Sequence, residues 1–293
     1  MKIEELRQLQ PNVFQRFVTT LEHDRLAHAY LFSGDFASFD MAIFLSQSLF
    51  CQEKSGVIPC QNCRSCRLIE DNEFADVTLI APQGNIIKTD IIRELVKNFS
   101  QSGFESTKQV FIIRDAEKMH VNAANALLKV IEEPQSDIHI FLLTNQEDLV
   151  LSTIKSRAQI IHFPKNLQVL ERFLEEKGIL RSQAVLLAQL VSSIEEATQL
   201  SQNKSFMELL GSMRKFVDKL LLRPDDAYLQ VGSLVTLLPE KAEQGHVFDI
   251  ISLLLAEQLT NEKARNLLNH CLKAKQMWQA NVSLQNCLEY LTL

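Results

Sequence analysis

Glycine is scarce in this chain: eight residues in 293, nowhere clustered. A glycine-rich loop whose backbone amides could cradle phosphates therefore has no well-formed candidate. No apolar run approaches the roughly 20 residues needed to cross a bilayer. The charged, polar stretch 1–10 does not read as a signal peptide. Basic residues do not dominate: 30 Lys and Arg stand against 36 Asp and Glu, a formal charge of −6. That balance argues against a general nucleic-acid coat, while a local basic face remains open. Internal repeats, low-complexity segments, a nucleophilic serine elbow, a paired-carboxylate site and a catalytic Cys–His pair are also missing. What remains is an ordinary globular composition, 46% hydrophobic and 23% charged. The length suits about two or three domains, and a reducing cytoplasm is the expected compartment, with no membrane partner.

Against that background, four of the six cysteines are concentrated in one short stretch. Cys51, Cys60, Cys63 and Cys66 have the spacing C-x8-C-x2-C-x2-C. Tetrahedral zinc takes four thiolate or imidazole donors, and a C-x2-C step lets two thiolates bite one ion from a tight turn. A structural Zn2+ module at 51–66 is the expectation, and a group of free cytosolic thiols is the alternative. Pro59-Cys60-Gln61-Asn62-Cys63 matches half of a zinc deaminase signature. The other half, H-x-E, is absent: His23 is followed by Asp24 and Arg25, His28 by Ala29 and Tyr30. Four thiolates also leave no open position for water. Within the insert, Lys54, Arg64 and Arg67 are offset by Glu53, Glu70, Asp71 and Glu73, so it does not read as a phosphate-tracking patch. Cys271 and Cys287 read as small buried hydrophobes.

Periodicity divides the chain near residue 165. Up to that point, short apolar runs at 28–33, 76–81, 109–113, 139–144 and 159–163 alternate with helical patterns at 14–21, 41–50, 89–99 and 122–133. Continuously apolar strands separated by helices predict a parallel α/β sheet covered on both faces. Beyond Pro164 strand signals vanish, and helices are expected at 167–178, 182–191, 194–200, 206–222, 228–238, 247–259 and 261–291. A polar stretch near Asn203 suggests a further division, giving segments 1–165, 166–204 and 205–293.

In a parallel α/β domain the first strand-to-helix turn is the place for a phosphate loop, G-x-x-x-x-G-K-[ST]. The turn here begins correctly at Gly34. Phe39 then stands where the second glycine belongs, Asp40 where the lysine belongs, and Met41 where the magnesium-binding hydroxyl belongs. Bulk crowds the backbone, a carboxylate repels phosphate, and a thioether does not coordinate magnesium. An ordinary strand–turn–helix accounts for this turn equally well.

The order of four motifs goes further: HAYLFSG at 28–34, the cysteine insert, NALLKVIEEP at 125–134 and TIKSR at 153–157. In these the chain resembles the clamp-loader subunits of bacterial DNA polymerase III, members of the AAA+ superfamily. The likeness covers residues 28–157, and the helical half matches mainly in size and placement. It implies an AAA+-like α/β domain with a zinc insert, a small helical lid and an all-α collar for oligomerisation. The Leu220–222 and Leu253–255 clusters suit such a collar, and suit a plain buried bundle equally. Within that family the altered phosphate loop points to the non-ATPase stator member, not to the gamma/tau motor. An active relative carries Asp-Glu after the third strand, where this chain has Arg114 and Asp115. Asp115 and Glu117 could pass for a metal pair, but a solvated turn suits them better. Arg157, in Ser156-Arg157-Ala158, matches the arginine finger that reaches a neighbour's ATP, though an arginine after a short helix is commonly a plain surface charge. Thr144-Asn145 falls where the family places a polar nucleotide sensor. The implied partners are the gamma/tau and delta subunits and, through the assembly, the sliding clamp and primed DNA. No ATP hydrolysis of its own is expected from the chain, which would count as a part of the polymerase holoenzyme. The competing readings are an active ATPase subunit and a zinc-dependent DNA-binding protein.

Overall fold

The computed structural model of the protein describes residues 1–82, 84, 86–99, 106–132, 137–238 and 241–293. The chain forms two compact units, Met1–Asn166 and Leu167–Leu293.

The first unit opens with helices α1 (Ile3–Leu9) and α2 (Pro11–Glu22), and its five strands are β1 (Ala29–Ser33), β2 (Val77–Ile80), β3 (Lys108–Ile113), β4 (Asp137–Thr144) and β5 (Gln159–His162). Helices α3 (Ser38–Phe50), α4 (Arg64–Glu70), α5 (Thr89–Phe99), α6 (Val121–Glu132) and α7 (Ser152–Lys155) fall between the strands. All pairings are parallel, in the order β2-β3-β4-β1-β5. The parallel sheet expected from the apolar runs is therefore present. Helices α1 and α4 were not expected. Both are short, seven residues each, and polar along much of their length, so periodicity gives little signal. The expected stop of α6 at Pro134, and the side chains of Leu95 and Phe99 on α5, lie outside the described residues.

Side-chain alternation along the central strand assigns the two faces. Ala29 and Leu31 point with Phe111, Ile113, Ile140 and Leu142 into an aliphatic core that Leu127, Ile131 and Ile154 complete. Tyr30 and Phe32 point the other way. There Phe17 lies 5.3 Å from Tyr30, and Phe32 lies 5.5 Å from Phe141 and 4.8 Å from Phe163. Phe14 and Phe44 extend this layer from α2 and α3. Each fully buried aromatic contributes about 1.5–3 kcal/mol by leaving water.

Strand β1 is also the switch point of the sheet. The chain leaves it toward β2 on one side and returns to β5 on the other. Ligand crevices of open α/β sheets lie beyond the strand C-termini at such a point. The exit is Gly34, at φ +105, whose N–H donates to the Thr144 carbonyl at 2.8 Å. A Cβ on Gly34 would lie 2.4 Å from the Phe163 carbonyl oxygen.

The second unit is helical throughout its described residues. It comprises α8 (Leu167–Glu176), α9 (Arg181–Leu190), α10 (Ile194–Gln202), α11 (Lys204–Leu222), α12 (Pro224–Thr236), α13 (Lys241–Ala256), α14 (Glu262–Gln279) and α15 (Leu284–Tyr290). Helix α11 supplies much of the core through Phe206, Leu209, Met213, Phe216 and Leu220. Of the two leucine clusters, Leu220, Leu221, Leu254 and Leu255 are buried and Leu222 is exposed. The single helix expected over 261–291 is two helices. Asn281 takes the left-handed conformation (φ 69) that ends α14, and the Ser283 hydroxyl accepts the Asn286 N–H to start α15.

Gly34→Ala is expected to destabilise the first unit by about 2 kcal/mol or more, combining an unfavourable positive φ with a backbone collision. The single tryptophan, Trp278, reports on the other unit. Hydrogen exchange at the β1 amides is therefore the measurement; unchanged protection would contradict this account.

Candidate functional site

Two constellations sit on helix α3, one at each end. At its C-terminus Cys51 forms the cap, its N–H donating to the Gln47 carbonyl at 2.8 Å. The insert then turns through Gln61, which adopts a left-handed conformation (φ 60), and enters α4 with Cys63 as N-cap and Cys66 in the first turn. This brings all four sulfurs within 4.8 Å of one another. The Cys51–Cys60 and Cys51–Cys63 Sγ separations are 3.6 and 3.9 Å. A tetrahedron of sulfurs about 2.3 Å from a zinc ion has edges of about 3.8 Å, so the four cysteines could hold one metal ion. All are free thiols.

The surroundings prepare the sulfurs unequally. The N–H groups of Asn62 and Cys63 lower the Cys60 thiol to about 7, the Cys63 N–H lying 3.2 Å from its sulfur. Burial pushes Cys51 and Cys66 the other way. Hydrogen bonds around the cysteines tie the insert to the domain. Gln47 Nε2 donates to the Cys66 carbonyl at 2.9 Å, while Gln61 accepts from the Ile3 N–H at 3.4 Å and donates to the Met1 carbonyl at 3.3 Å. The insert is therefore fastened to both α1 and α3.

At the other end of α3 lies the turn after β1. The helix begins at Ser38, so Phe39, Asp40 and Met41 occupy its first turn. Met41 is fully buried in the core. Asp40 Oδ1 lies 3.4 Å from the Met1 nitrogen, away from any bare phosphate cradle. Burial raises its pKa, and the Met1 ammonium opposes that. The Arg114 guanidinium stands 4.8 Å from the centroid of the Phe39 ring. Gln10 Nε2 donates to the carbonyls of Phe36 and Pro164 at 2.9 and 3.0 Å, and Lys165 covers the Phe36 ring at 5.3 Å. Beside Arg114, the crevice lined by Asp35, Asp115, Thr144 and Asn145 encloses only about 10 Å³. Ligand pockets ordinarily need ~300 Å³ or more.

The remaining polar groups predicted for this edge are committed to one another. Asp115 pairs with Lys118 at 3.1 Å, and Glu117 accepts the Thr144 hydroxyl at 2.7 Å. Asn145 donates to Asp35 at 3.2 Å. Asp115 and Glu117 thus have separate partners instead of converging on a cation. On α6, Leu127, Val130 and Ile131 are core residues, Ala126 is half-buried, and Asn125 and Lys129 are exposed; Glu133 and Pro134 lie outside the described residues. Arg157 follows α7 and pairs through Nε with Glu132 on α6. Its Nη1 donates to the Thr153 carbonyl and the Ser156 hydroxyl, each at 3.1 Å. Sequence reasoning missed this pairing across 25 residues, and the Phe39–Arg114 contact, since neither has a local signal. Among the described residues no helix is long and apolar enough to cross a membrane.

An all-parallel sheet with its crevice at β1, a cysteine insert after α3 and a helical second unit make up an AAA+-like arrangement. The profile of the family described as "DNA polymerase III, delta subunit" matches residues 9–167. A delta-prime subunit of Bacillus subtilis is 33% identical, covering 99% of this chain and 97% of its own. The chain belongs to the DNA polymerase III delta-prime family. It is also 30% identical over 60% of its length to a gamma/tau subunit of Mycobacterium tuberculosis, of which it spans 32%. In fold it is similar to a gamma subunit-related protein of Thermotoga maritima, with TM-score 0.53 at 18% identity, covering 94% and 97% of the two chains.

Titration with Zn2+ is expected to saturate at one ion per chain. Ligation must displace protons from the raised thiols of Cys51 and Cys66, so apparent affinity should rise with pH between about 6 and 8. Cys66→Ser should weaken binding beyond the ~10–100-fold typical of outer-shell changes. Competition with a chromophoric chelator measures both; a flat pH profile would exclude thiolate ligation.

Proposed function

We propose that this chain is the non-ATPase stator of the clamp loader of bacterial DNA polymerase III. It supports ATP-driven loading of the sliding clamp onto primed DNA without hydrolysing ATP itself. Its partners in this reading are the gamma/tau ATPase and delta subunits, in the bacterial cytoplasm. Residues 166–204 serve as the lid and 205–293 as the oligomerising collar. Cys51, Cys60, Cys63 and Cys66 hold a structural Zn2+.

The observation that carries the reading is the Arg114–Phe39 contact at 4.8 Å. In a working relative these two positions hold a magnesium carboxylate and a glycine that admits the phosphate. Here a cation and an aromatic ring meet in that space, beside a crevice of about 10 Å³. Asp40 adds a negative charge to the first turn of α3, where an anionic ligand would otherwise complement the helix dipole. The features support a site that is filled and internally neutralised.

Arg157 has the chemistry for a role outside this chain. A guanidinium is always charged and suits a phosphate's geometry. Its pair with Glu132 is exposed, 38% and 46%, and exposed pairs contribute only about 0.2–1 kcal/mol. The pair can hold Arg157 ready and give way to a γ-phosphate on a neighbouring subunit.

Arg157→Ala should leave folding and zinc content intact and lower DNA-stimulated ATPase of the reconstituted assembly by about 10³-fold at the site it serves; unchanged turnover would sink the finger assignment. The isolated chain should show no saturable ATP binding by calorimetry, and micromolar affinity would reinstate an active nucleotide site. Glu132→Gln should cost less than about 1 kcal/mol in urea unfolding.

A further inference from the structure

A second cavity lies at the opposite end of the sheet. It encloses about 270 Å³ between the end of α2, the turn into β1 and the start of β5. Tyr30 and Gln159, which are register partners at the N-terminal ends of β1 and β5, both line it. Gly34 lies four residues further along, about 13 Å away at strand spacing. The cavity is therefore separate from the crevice at the strand C-termini.

Apart from Phe17, its lining is polar. Arg16, His23 and Arg25 contribute basic groups, Thr19 and Tyr30 contribute hydroxyls, and no carboxylate faces it. Glu22 and Asp24 flank His23 in the sequence but are not in the lining. Among the described residues neither arginine has an acidic partner within ion-pair distance. Both are exposed, and the cavity brings the two guanidiniums together with no carboxylate in its lining.

Tyr30 supplies an independent observation. It is only 2% exposed, yet it lines the cavity. That oxygen accepts the Ala27 N–H at 3.0 Å. No acceptor for its own proton occurs among the described residues. The hydroxyl can both accept and donate, and an oxyanion in the cavity would accept its proton. His23 Nδ1 is held by the Thr19 carbonyl at 2.8 Å, which leaves Nε2 uncommitted. Two guanidinium forks, a hydroxyl donor and an imidazole match the several oxygens of a phosphate group. The volume exceeds that of a bare phosphate and leaves room for part of the molecule carrying it.

We infer that the cavity bounded by Arg16, His23, Arg25 and Tyr30 is a binding site for the phosphate group of a phosphate ester. The inference does not depend on the stator reading.

Calorimetric titration of the full chain with inorganic phosphate at low salt tests it. Saturable one-to-one binding is expected. Arg16→Gln and Arg25→Gln should each weaken it about tenfold. Tyr30→Phe keeps the buried ring and removes only the hydroxyl, and should weaken binding about threefold to tenfold. Arg223→Gln, in the second unit, makes the same change in net charge and should have no effect. Absence of saturable binding would overturn the inference, as would wild-type affinity in the Arg16→Gln/Arg25→Gln and Tyr30→Phe proteins, or an equal loss in Arg223→Gln. Once phosphate binding is seen, a 5′-phosphorylated oligonucleotide compared with its 5′-hydroxyl form distinguishes the sources. Tighter binding of the phosphorylated strand, lost on Arg16→Gln, identifies a nucleic-acid end. Equal binding of both identifies backbone phosphodiesters as the source, and binding of neither, with inorganic phosphate still bound, identifies a small phosphate ester.

Discussion

Strand β1 is the constraint on which the first unit depends. It is hydrogen-bonded on one edge to β4 and on the other to β5, and covered by an aliphatic layer on one face and an aromatic layer on the other. Nothing along its length is left for chemistry. A crevice lies beyond its C-terminal end and a cavity beside its N-terminal end. At the C-terminal end the chain must escape between two neighbouring strands, and the Phe163 carbonyl leaves no volume for a Cβ. Gly34 is fixed there by packing, whatever the loop binds. A lone glycine at this position is therefore compatible with a phosphate loop and with its altered form.

Much of this was legible in the sequence, for identifiable reasons. The strands read as continuous apolar runs because both sheet faces are buried, and the four cysteines read as a cluster because metal spacing is local. Phe39, Asp40 and Met41 read as departures from a phosphate-loop pattern because such a motif is contiguous. The contacts that give those residues meaning are not contiguous. Phe39 and Arg114 lie 75 positions apart, and Glu132 and Arg157 lie 25 apart. Each is set by which strands are neighbours, and the order β2-β3-β4-β1-β5 has no signature in any single segment. The basic cavity was hidden for the same reason. Arg16, His23 and Arg25 look like scattered surface charges until the end of α2 is brought over Tyr30 and Gln159. The break at Asn281 was a different failure, since its cue was local: an asparagine able to take positive φ, two residues before a serine cap.

The two ends of β1 handle negative charge in opposite ways. At the C-terminal end the charged groups are answered from within the chain: Asp40 by the Met1 nitrogen, Asp115 by Lys118, Glu117 by Thr144, Asp35 by Asn145, and the Arg114 cation by the Phe39 ring; the buried Ser38 hydroxyl has no partner. An incoming phosphate there would have to displace formed contacts and enter a space of about 10 Å³. At the N-terminal end two guanidiniums and a buried hydroxyl stand around about 270 Å³ without carboxylates. Of these groups only Tyr30 is buried; Arg16, His23 and Arg25 are exposed and remain hydrated until a ligand replaces the water. A nearly complete set of internal pairs at one end makes the uncompensated set at the other a local property. It does not follow from the charge of the whole chain, whose excess is acidic.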